Sequence, residues 1–265
     1  MSTLAQAARP NPTRRARHLG RQALPLVGLL LVLPLWWLGT EWLALRTPIA
    51  GQFAPWPAAQ ALWRLLGDPH LWTHVALSLQ RVGVGLLLAV AIGVPLGVLV
   101  GLWPAFARAT TPLFQFLRMV SPLSWMPLAV MVLGVGDAPV HFLLAFAAVW
   151  PILLNTASGV AHLDPLWLAL ARSLSATRGE TVWRVVLPGI TAHILTGVRL
   201  AIGIIWIVLV PAEMLGVSAG LGYFVLDTRD RLAYDELMAA IVLIGALGFA
   251  LDWLARRAHQ HWQAR

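Results

Sequence analysis

The sequence predicts an all-α polytopic membrane protein with about six transmembrane helices. Three observations lead there. Hydrophobic residues make up 59% of the 265-residue chain and charged residues only 11%, against about 25% charged in an ordinary soluble domain. Apolar stretches of about 20 residues, enough to cross a bilayer, recur with short loops between them. The formal charge of +8 comes from arginine alone, since the chain has no lysine. In so apolar a chain that balance reports a bias toward the cytoplasmic face rather than nucleic-acid binding. The absence of cysteine excludes disulfides, thiolate nucleophiles and Cys-based metal sites.

Residues 1–22 form a basic arm with Arg9, Arg14, Arg15, Arg17 and Arg21, expected to be disordered and cytoplasmic. Residues 23–74 hold a first span, over 23–45, and an external loop rich in Pro and Trp with an interfacial helix over 58–66. A cleaved signal peptide is the rival reading of the first span. The run is too long for an h-region and has no clear small-x-small cleavage site. A helical core over 75–257 supplies further spans at 75–102, 111–135, 138–160, 192–215 and 236–254, and residues 258–265 form a tail. Arg108, the arginines between Arg172 and Arg184, and Arg256-Arg257 share a side with the basic arm. Arg46, Arg64, Arg229 and Arg231 lie opposite, the last two neutralised by Asp227, Asp230, Asp235 and Glu236. Both termini are therefore expected in the cytoplasm.

The second span carries Gly85, Ala89, Gly93, Gly97 and Gly101, four apart without interruption. Small residues at that spacing make a flat stripe on which another backbone can approach closely. The segment 164–188 cannot span a membrane, with Asp164, Arg172, Arg178, Glu180 and Arg184 inside it. Its apolar residues recur at helical spacing, and Ser173, Ser175 and Thr177 interrupt them, which predicts two short helices joined by a turn. A helix lying on the inner leaflet is one reading of it and a docking segment for a cytoplasmic protein is another.

Ser121-Pro122, Trp125 and Pro127 interrupt an apolar span, and broken membrane helices are tolerated where they line a cavity or pack in protein. Both an anion path and a packing kink fit. Arg199 reads as a snorkelling residue or as an anion counter-charge, and Trp206 shares its span. Glu213 sits near the outer end, where bracing a loop or neighbouring helix is the stronger reading and substrate contact the weaker. The run Gly216-Val217-Ser218-Ala219-Gly220 matches the G-x-S-x-G elbow of serine hydrolases, a motif that needs a strand–turn–helix context. An intramembrane serine protease would need His162 or His193 as its base.

Several of these stretches together resemble the inner-membrane permease subunits of binding-protein-dependent ABC importers, in the nitrate, sulfonate and taurine group. The cytoplasmic loop of that family reads E-A-A-x3-G and ends on L-P. Here Leu187-Pro188 fall in register, followed by Gly197-Val198-Arg199, Trp206 and Glu213. Ser121–Pro127, Trp150-Pro151-Ile152 with Asn155-Thr156, and Gly220-Leu221-Gly222-Tyr223 are most similar to the nitrate-permease branch. Ala169, Leu170 and Ala171 occupy the E-A-A positions and Ser175 the glycine position, so only the second alanine is kept. That serine suggests a turn that does not need a positive φ, or a hydroxyl capping the next helix.

The resemblance implies a type I ABC importer permease fold (MetI-like) in the bacterial inner membrane. It implies a transporter subunit that is not itself an enzyme, and a dimer, most simply with a second copy of the chain. Two cytoplasmic ATPase subunits would hold ATP and Mg, with no cofactor on this chain, and an external binding protein would deliver substrate. It makes 164–188 the coupling segment, with Ala169, Leu170, Ala171, Ser175, Arg178, Leu187 and Pro188 as its contacts. The pathway candidates are Ser121, Pro122, Trp125, Arg199, Trp206 and Glu213. A small oxyanion, nitrate first and an alkyl sulfonate such as taurine second, is the implied cargo.

Overall fold

The computed structural model describes residue 28 and residues 31–263, apart from the side chains at 259 and 261–263. The basic arm, the start of the first span and the last two residues lie outside the described residues. These residues form two compact units, one ending at Ala61 and the other beginning at Leu62. In the first, a helix α1 over 31–44 leads to a 3₁₀ turn, Pro48–Phe53. The Trp36 indole N–H donates to the Phe53 carbonyl at 3.0 Å. Helix α2, Pro55–Leu66, carries the chain across the boundary and is a turn longer than the interfacial helix expected.

The second unit is all-helical. Helix α3, Pro69–Leu102, starts where Asp68 accepts the His70 amide at 2.8 Å and Pro69 takes a position needing no N–H donor. Then come α4 (Pro104–Met119), a 3₁₀ turn (Pro122–Trp125), α5 (Met126–Leu133), α6 (Asp137–Ala161) and α7 (Pro165–Ser173). A one-turn helix α8 (Arg178–Thr181), a π turn (Val182–Val186), α9 (Leu187–Gly216), α10 (Leu221–Asp230) and α11 (Tyr234–Gln263) complete it. Among the described residues four helical stretches are long and apolar enough to cross a membrane, and the pair formed by α4 and the 122–133 stretch is a fifth if counted as one span.

That pair corrects the single span expected at 111–135, because its two halves are bent by 89°. Pro122 denies a helical conformation to Ser121, whose ψ is 129°, and Pro127 removes a second donor. The helix therefore stops at Met119.

Helix α6 is the centre of the unit, packed against α3 on one side and α9 on the other. The α3 stripe lies on α6 at a constant offset. Gly85 faces Leu144, Gly93 faces Ile152, Gly97 faces Thr156 and Gly101 faces Val160. A Cβ at Gly97 would stand 2.6 Å from the Thr156 Cβ and 2.7 Å from the Leu153 carbonyl. On the other side a Cβ at Gly197 of α9 would meet the Ile152 Cα at 2.9 Å, and one at Gly159 of α6 the His193 Cβ at 2.8 Å. The backbones thus approach within side-chain-free distance on both faces. Around them Leu143, Leu144, Ile152, Ile205 and Leu209 are fully buried.

Gly97→Leu should insert normally yet abolish recovery of an intact, detergent-extracted protein. Gly83→Leu should not, because nothing lies within 4 Å of a Cβ there. Size-exclusion chromatography of both variants checks this, and equal recovery would remove the seam from the folding argument.

Candidate functional site

Three sites are built on this frame, at its two ends and along its middle. At the Asp137 end of α6, two spans contribute opposite charges. Arg81 of α3 and Glu213 of α9 are 4% and 0% exposed, and Arg81 Nη1 lies 2.6 Å from Glu213 Oε1. Isolated, each charge would be costly in an apolar surround, and together they are satisfied. The Ser78 hydroxyl lies within hydrogen-bond distance of both Glu213 oxygens, at 2.7 and 2.9 Å, and the Gly222 amide donates to Oε2 at 2.8 Å. Arg81 also reaches Asp137 at 2.7 Å and the Ala219 carbonyl at 2.7 Å.

The loop between α9 and α10 is held by the same groups. The Gly220 amide donates to His74 Nδ1 at 2.9 Å and the Leu221 amide to Ser78 at 2.8 Å. Gly220 has φ 122°, and a Cβ there would collide with Arg81 and Glu213. Four elements and a loop converge on one carboxylate–guanidinium pair. Glu213 thus sits in a bracing network and its carboxylate is fully engaged. Its partners Arg81 and Ser78, and His74 and Asp137 in the same network, were not singled out from the sequence. Arginine inside an apolar run, with a glutamate inside another, was the signal available.

Ser218 borders a cavity of about 590 Å³ beside this network. His162 and His193, whose rings stack at 6.3 Å, lie near the start of α9, about 35 Å of helix from Gly216 at 1.5 Å per residue. The structure does not bring the serine and either histidine together, and Ser218 follows a helix rather than a strand.

At the His162 end, Asp164 caps α7 by accepting the Leu166 amide at 2.9 Å. The segment 164–188 has the two helices joined by a turn that its pattern suggests, α7 and α8 with the turn over 174–177, but the second is not short. Helix α7 is separate, but α8 runs through the π turn into α9 without a break, giving one continuous stretch from Arg178 to Gly216. Pro188 is the reason for the widened turn: it lacks the N–H owed to the Arg184 carbonyl, and its ring presses on that carbonyl. Leu187-Pro188 therefore sit inside a helix.

Ser175 also corrects an expectation. Its φ is +56°, the left-handed conformation that favours glycine. The cap of the next helix is Thr177, paired with Glu180 in a complete capping box. Helix α7 is seated against α9, since a Cβ at Gly189 would stand 2.6 Å from Leu163 Cδ1 and 3.2 Å from the Trp167 ring. Ala171 is buried, whereas Leu166, Leu170, Leu174 and Trp183 are 60–74% exposed. Between them lies a cavity of about 500 Å³ bounded by Trp167, Leu170, Leu174, Arg184 and Pro188. Ala169 and Arg178 are exposed on the same segment.

Along the middle, the break after α4 leaves two cavities, of about 130 and 380 Å³, against α6. Pro122 borders the larger. Trp125 packs on Phe146 at 5.6 Å, and Ser121 ends the bend with its carbonyl accepting from the Ser124 amide. Arg199 lies 3.9 Å from Asp252 of α11 and is partly exposed. Trp206 packs on Gly248 of α11 and so serves the α9–α11 contact.

An all-helical bundle with a broken span, a seated amphipathic helix at one end and a braced loop at the other has the architecture of a multi-pass membrane protein. Residues 93–263 match the family of binding-protein-dependent transport system inner membrane components. The chain belongs to that family. It is 35% identical over 250 residues to the taurine transport system permease protein TauC of Escherichia coli K12, covering 91% of this chain and 89% of that one. It is 34% identical over 269 residues to the bicarbonate transport system permease protein CmpB of Synechococcus elongatus, covering 96% of both. The nitrate import permease protein NrtB of Leptolyngbya laminosa is 35% identical over 209 residues, covering 76% of this chain and 75% of that one.

In structure it is similar to the inward-facing MetNI methionine ABC transporter, with a TM-score of 0.61 at 16% identity over 74% of this chain and 98% of that one. A bacterial alginate ABC transporter, in complex with its alginate-bound periplasmic protein, gives 0.56 at 15% over 89% and 93%. These likenesses establish the MetI-like permease fold, and the family match makes the chain an inner-membrane, multi-pass protein.

Arg81→Met should cost about 3–5 kcal/mol of stability, because it strands the Glu213 charge in the core. Arg81→Met combined with Glu213→Leu should cost less than the sum of the two single changes. Thermal unfolding in detergent measures both, and simple additivity would mean that the pair does not act as a unit.

Proposed function

We propose that this chain is the membrane-spanning subunit of an ATP-driven importer for a small oxyanion, with nitrate the first candidate. The observation that carries the reading is the seated α7, whose exposed Leu166 and Leu170, with Leu174 at its cap, stand beside the helix crossing the membrane, against which α7 packs at Gly189. Apolar side chains beside a cavity suit a partner's groove better than water. An ATPase, holding ATP and Mg, is the partner that the family's transport systems require. Two copies of the chain, two ATPase subunits and an external binding protein would make the working complex. The ATPase cycle would then move α7 and α9 together, and α9 would carry that motion to the cavities beside the broken span.

The arginine distribution supports placing the His162 end and both termini in the cytoplasm, with the Asp137 end outside. On that placement reporters fused after Ser175 and Arg265 should read cytoplasmic, and one fused near Asp227 external. An external Ser175 would end the coupling proposal. The relatives named for nitrate, bicarbonate and taurine share an anionic, oxygen-rich head group. An alkyl sulfonate is the second reading, favoured by the likeness to the taurine permease across 91% of the chain.

Uptake in cells carrying the chain with its ATPase and binding protein tests the reading. Ser175→Pro should reduce transport and substrate-stimulated ATP hydrolysis at least tenfold. Proline cannot adopt φ +56°, and it deletes the Ser175 amide bond to the Arg172 carbonyl. Ser175→Gly should keep full coupling, since glycine relieves about 1 kcal/mol of backbone strain. Leu170→Asp should uncouple without lowering the amount in the membrane. Normal transport by both Ser175→Pro and Leu170→Asp would leave α7 a surface helix with no role in coupling.

A further inference from the structure

Arg81 and Arg199 lie well inside apolar helices of the second unit and Arg118 stands beside the break between α4 and α5, and their surroundings differ. Arg81 is neutralised by Glu213 and Asp137, and Arg199 faces Asp252. Arg118, in the last turn of α4, is exposed and has no acidic partner among the described residues. A guanidinium within a span costs several kcal/mol unless it is paired or faces a polar path, so an unpaired one calls for a ligand.

What surrounds it is a binding wall. Arg118 borders both cavities beside the broken span, and so do Trp150 and Leu154 of α6. Trp150 is 9% exposed, and its indole N–H has no acceptor. A buried N–H without an acceptor costs about 1–3 kcal/mol, and because this nitrogen has almost no accessible surface an oxygen would reach it only after the ring shifts. Asn155 borders the larger cavity with one amide N–H already given to the Pro151 carbonyl at 2.8 Å, leaving a second. Trp150 is 13 residues along α6 from Asp137, about 20 Å at 1.5 Å per residue. That depth is well within a hydrocarbon core of about 30 Å. Arg118, Trp150 and Asn155 thus line one cavity at that depth, the first charged and the last with an amide N–H still unused.

We propose that Arg118, with Trp150 and Asn155, forms a mid-membrane binding station for a small monovalent oxyanion passing through the transporter. The inference rests on the import reading and names the residues that would meet the cargo inside the membrane. Arginine's planar fork suits the paired oxygens of a trigonal or sulfonate head group. A single charge with two neutral donors, open to two cavities, holds such an ion loosely enough to release it.

Two measurements on the assembled transporter test this. In proteoliposomes supplied with nitrate, bicarbonate or taurine as labelled probes, Arg118→Gln should lower uptake of whichever ion the parent carries at least tenfold. Arg118→Lys should restore part of it and Trp150→Phe should lower it about threefold, with complex recovered in normal amount. The chain has no cysteine, so Leu154→Cys gives a single labelling site beside Arg118. An anionic methanethiosulfonate should modify it at least tenfold faster than a cationic one, and Arg118→Gln should erase that preference. Full uptake by Arg118→Gln, or a charge preference unchanged without Arg118, overturns the station while leaving the import reading intact. A parent that carries none of the three ions overturns the oxyanion cargo, and the labelling ratio then decides the station by itself.

Discussion

The close approach of α6 to both α3 and α9 is the constraint on which everything else rests. Lipid is as apolar as leucine, so helices in a bilayer gain little from hiding apolar area and must gain from packing and polar contacts. Gly85, Gly93, Gly97 and Gly101 on one side, with Gly197 and Gly159 on the other, let three backbones come within reach of continuous dispersion contact. Each functional region is then hung on α6. Asp137 at its first turn meets Arg81, Trp150 and Asn155 face the cavities of its middle, and Leu163 just beyond its end seats α7 against Gly189. A shift of α6 by even half an ångström would be felt at all three.

The arginines show how one residue type takes different roles under one solvation rule. In a medium of low polarity a charge must be matched, displaced to an interface, or matched by something that comes and goes. Arg81 takes the first course, and the network around it satisfies the amides of Gly220, Leu221 and Gly222 through His74, Ser78 and Glu213 respectively. That network fixes the loop after α9 and ties α10 to α3. Arg199 sits at a longer 3.9 Å from Asp252 with both side chains about 40% exposed, so its pairing adds little. Arg118 has neither arrangement, and the proposed station follows from that difference.

Much of the fold was legible because membrane helices announce themselves by length and apolarity, and because the small-residue stripe on α3 has a period that only a helix face explains. The family followed from motifs spread over most of the core. Less was legible where proline acts. Pro122 and Pro127 broke a run whose hydropathy alone reads as one span, and the 89° bend depends on how the two halves pack. Pro188 looked like a terminus and proved to sit inside a helix, because a widened π turn absorbs its missing donor. Ser175 was read as evidence against a left-handed residue, yet the turn enforces φ +56° and the serine tolerates it. The Arg81–Glu213 pair lay in the sequence as two unlikely charges, 132 residues apart, whose pairing no local pattern could reveal.

The continuity of α8, the π turn and α9 has a mechanical consequence for the proposed importer. A short docking helix joined to a span by a flexible link would move without moving the span. Here α7 is clamped to α9 at Gly189 by Leu163 and Trp167, and the strand of helix leaving the segment has no break until Gly216. Force on α7 therefore reaches α9 by two routes, through packing and through the backbone. The α-helical hydrogen-bond pattern changes along that stretch at the π turn, where the Leu187 amide reaches back to the Val182 carbonyl. Rotation of α9 about that point would carry Leu200 and Ile204 across the wall of the larger cavity, which they share with Arg118 and Asn155. In this arrangement the proposed coupling segment and one wall of the proposed anion station share α9, with the π turn between them.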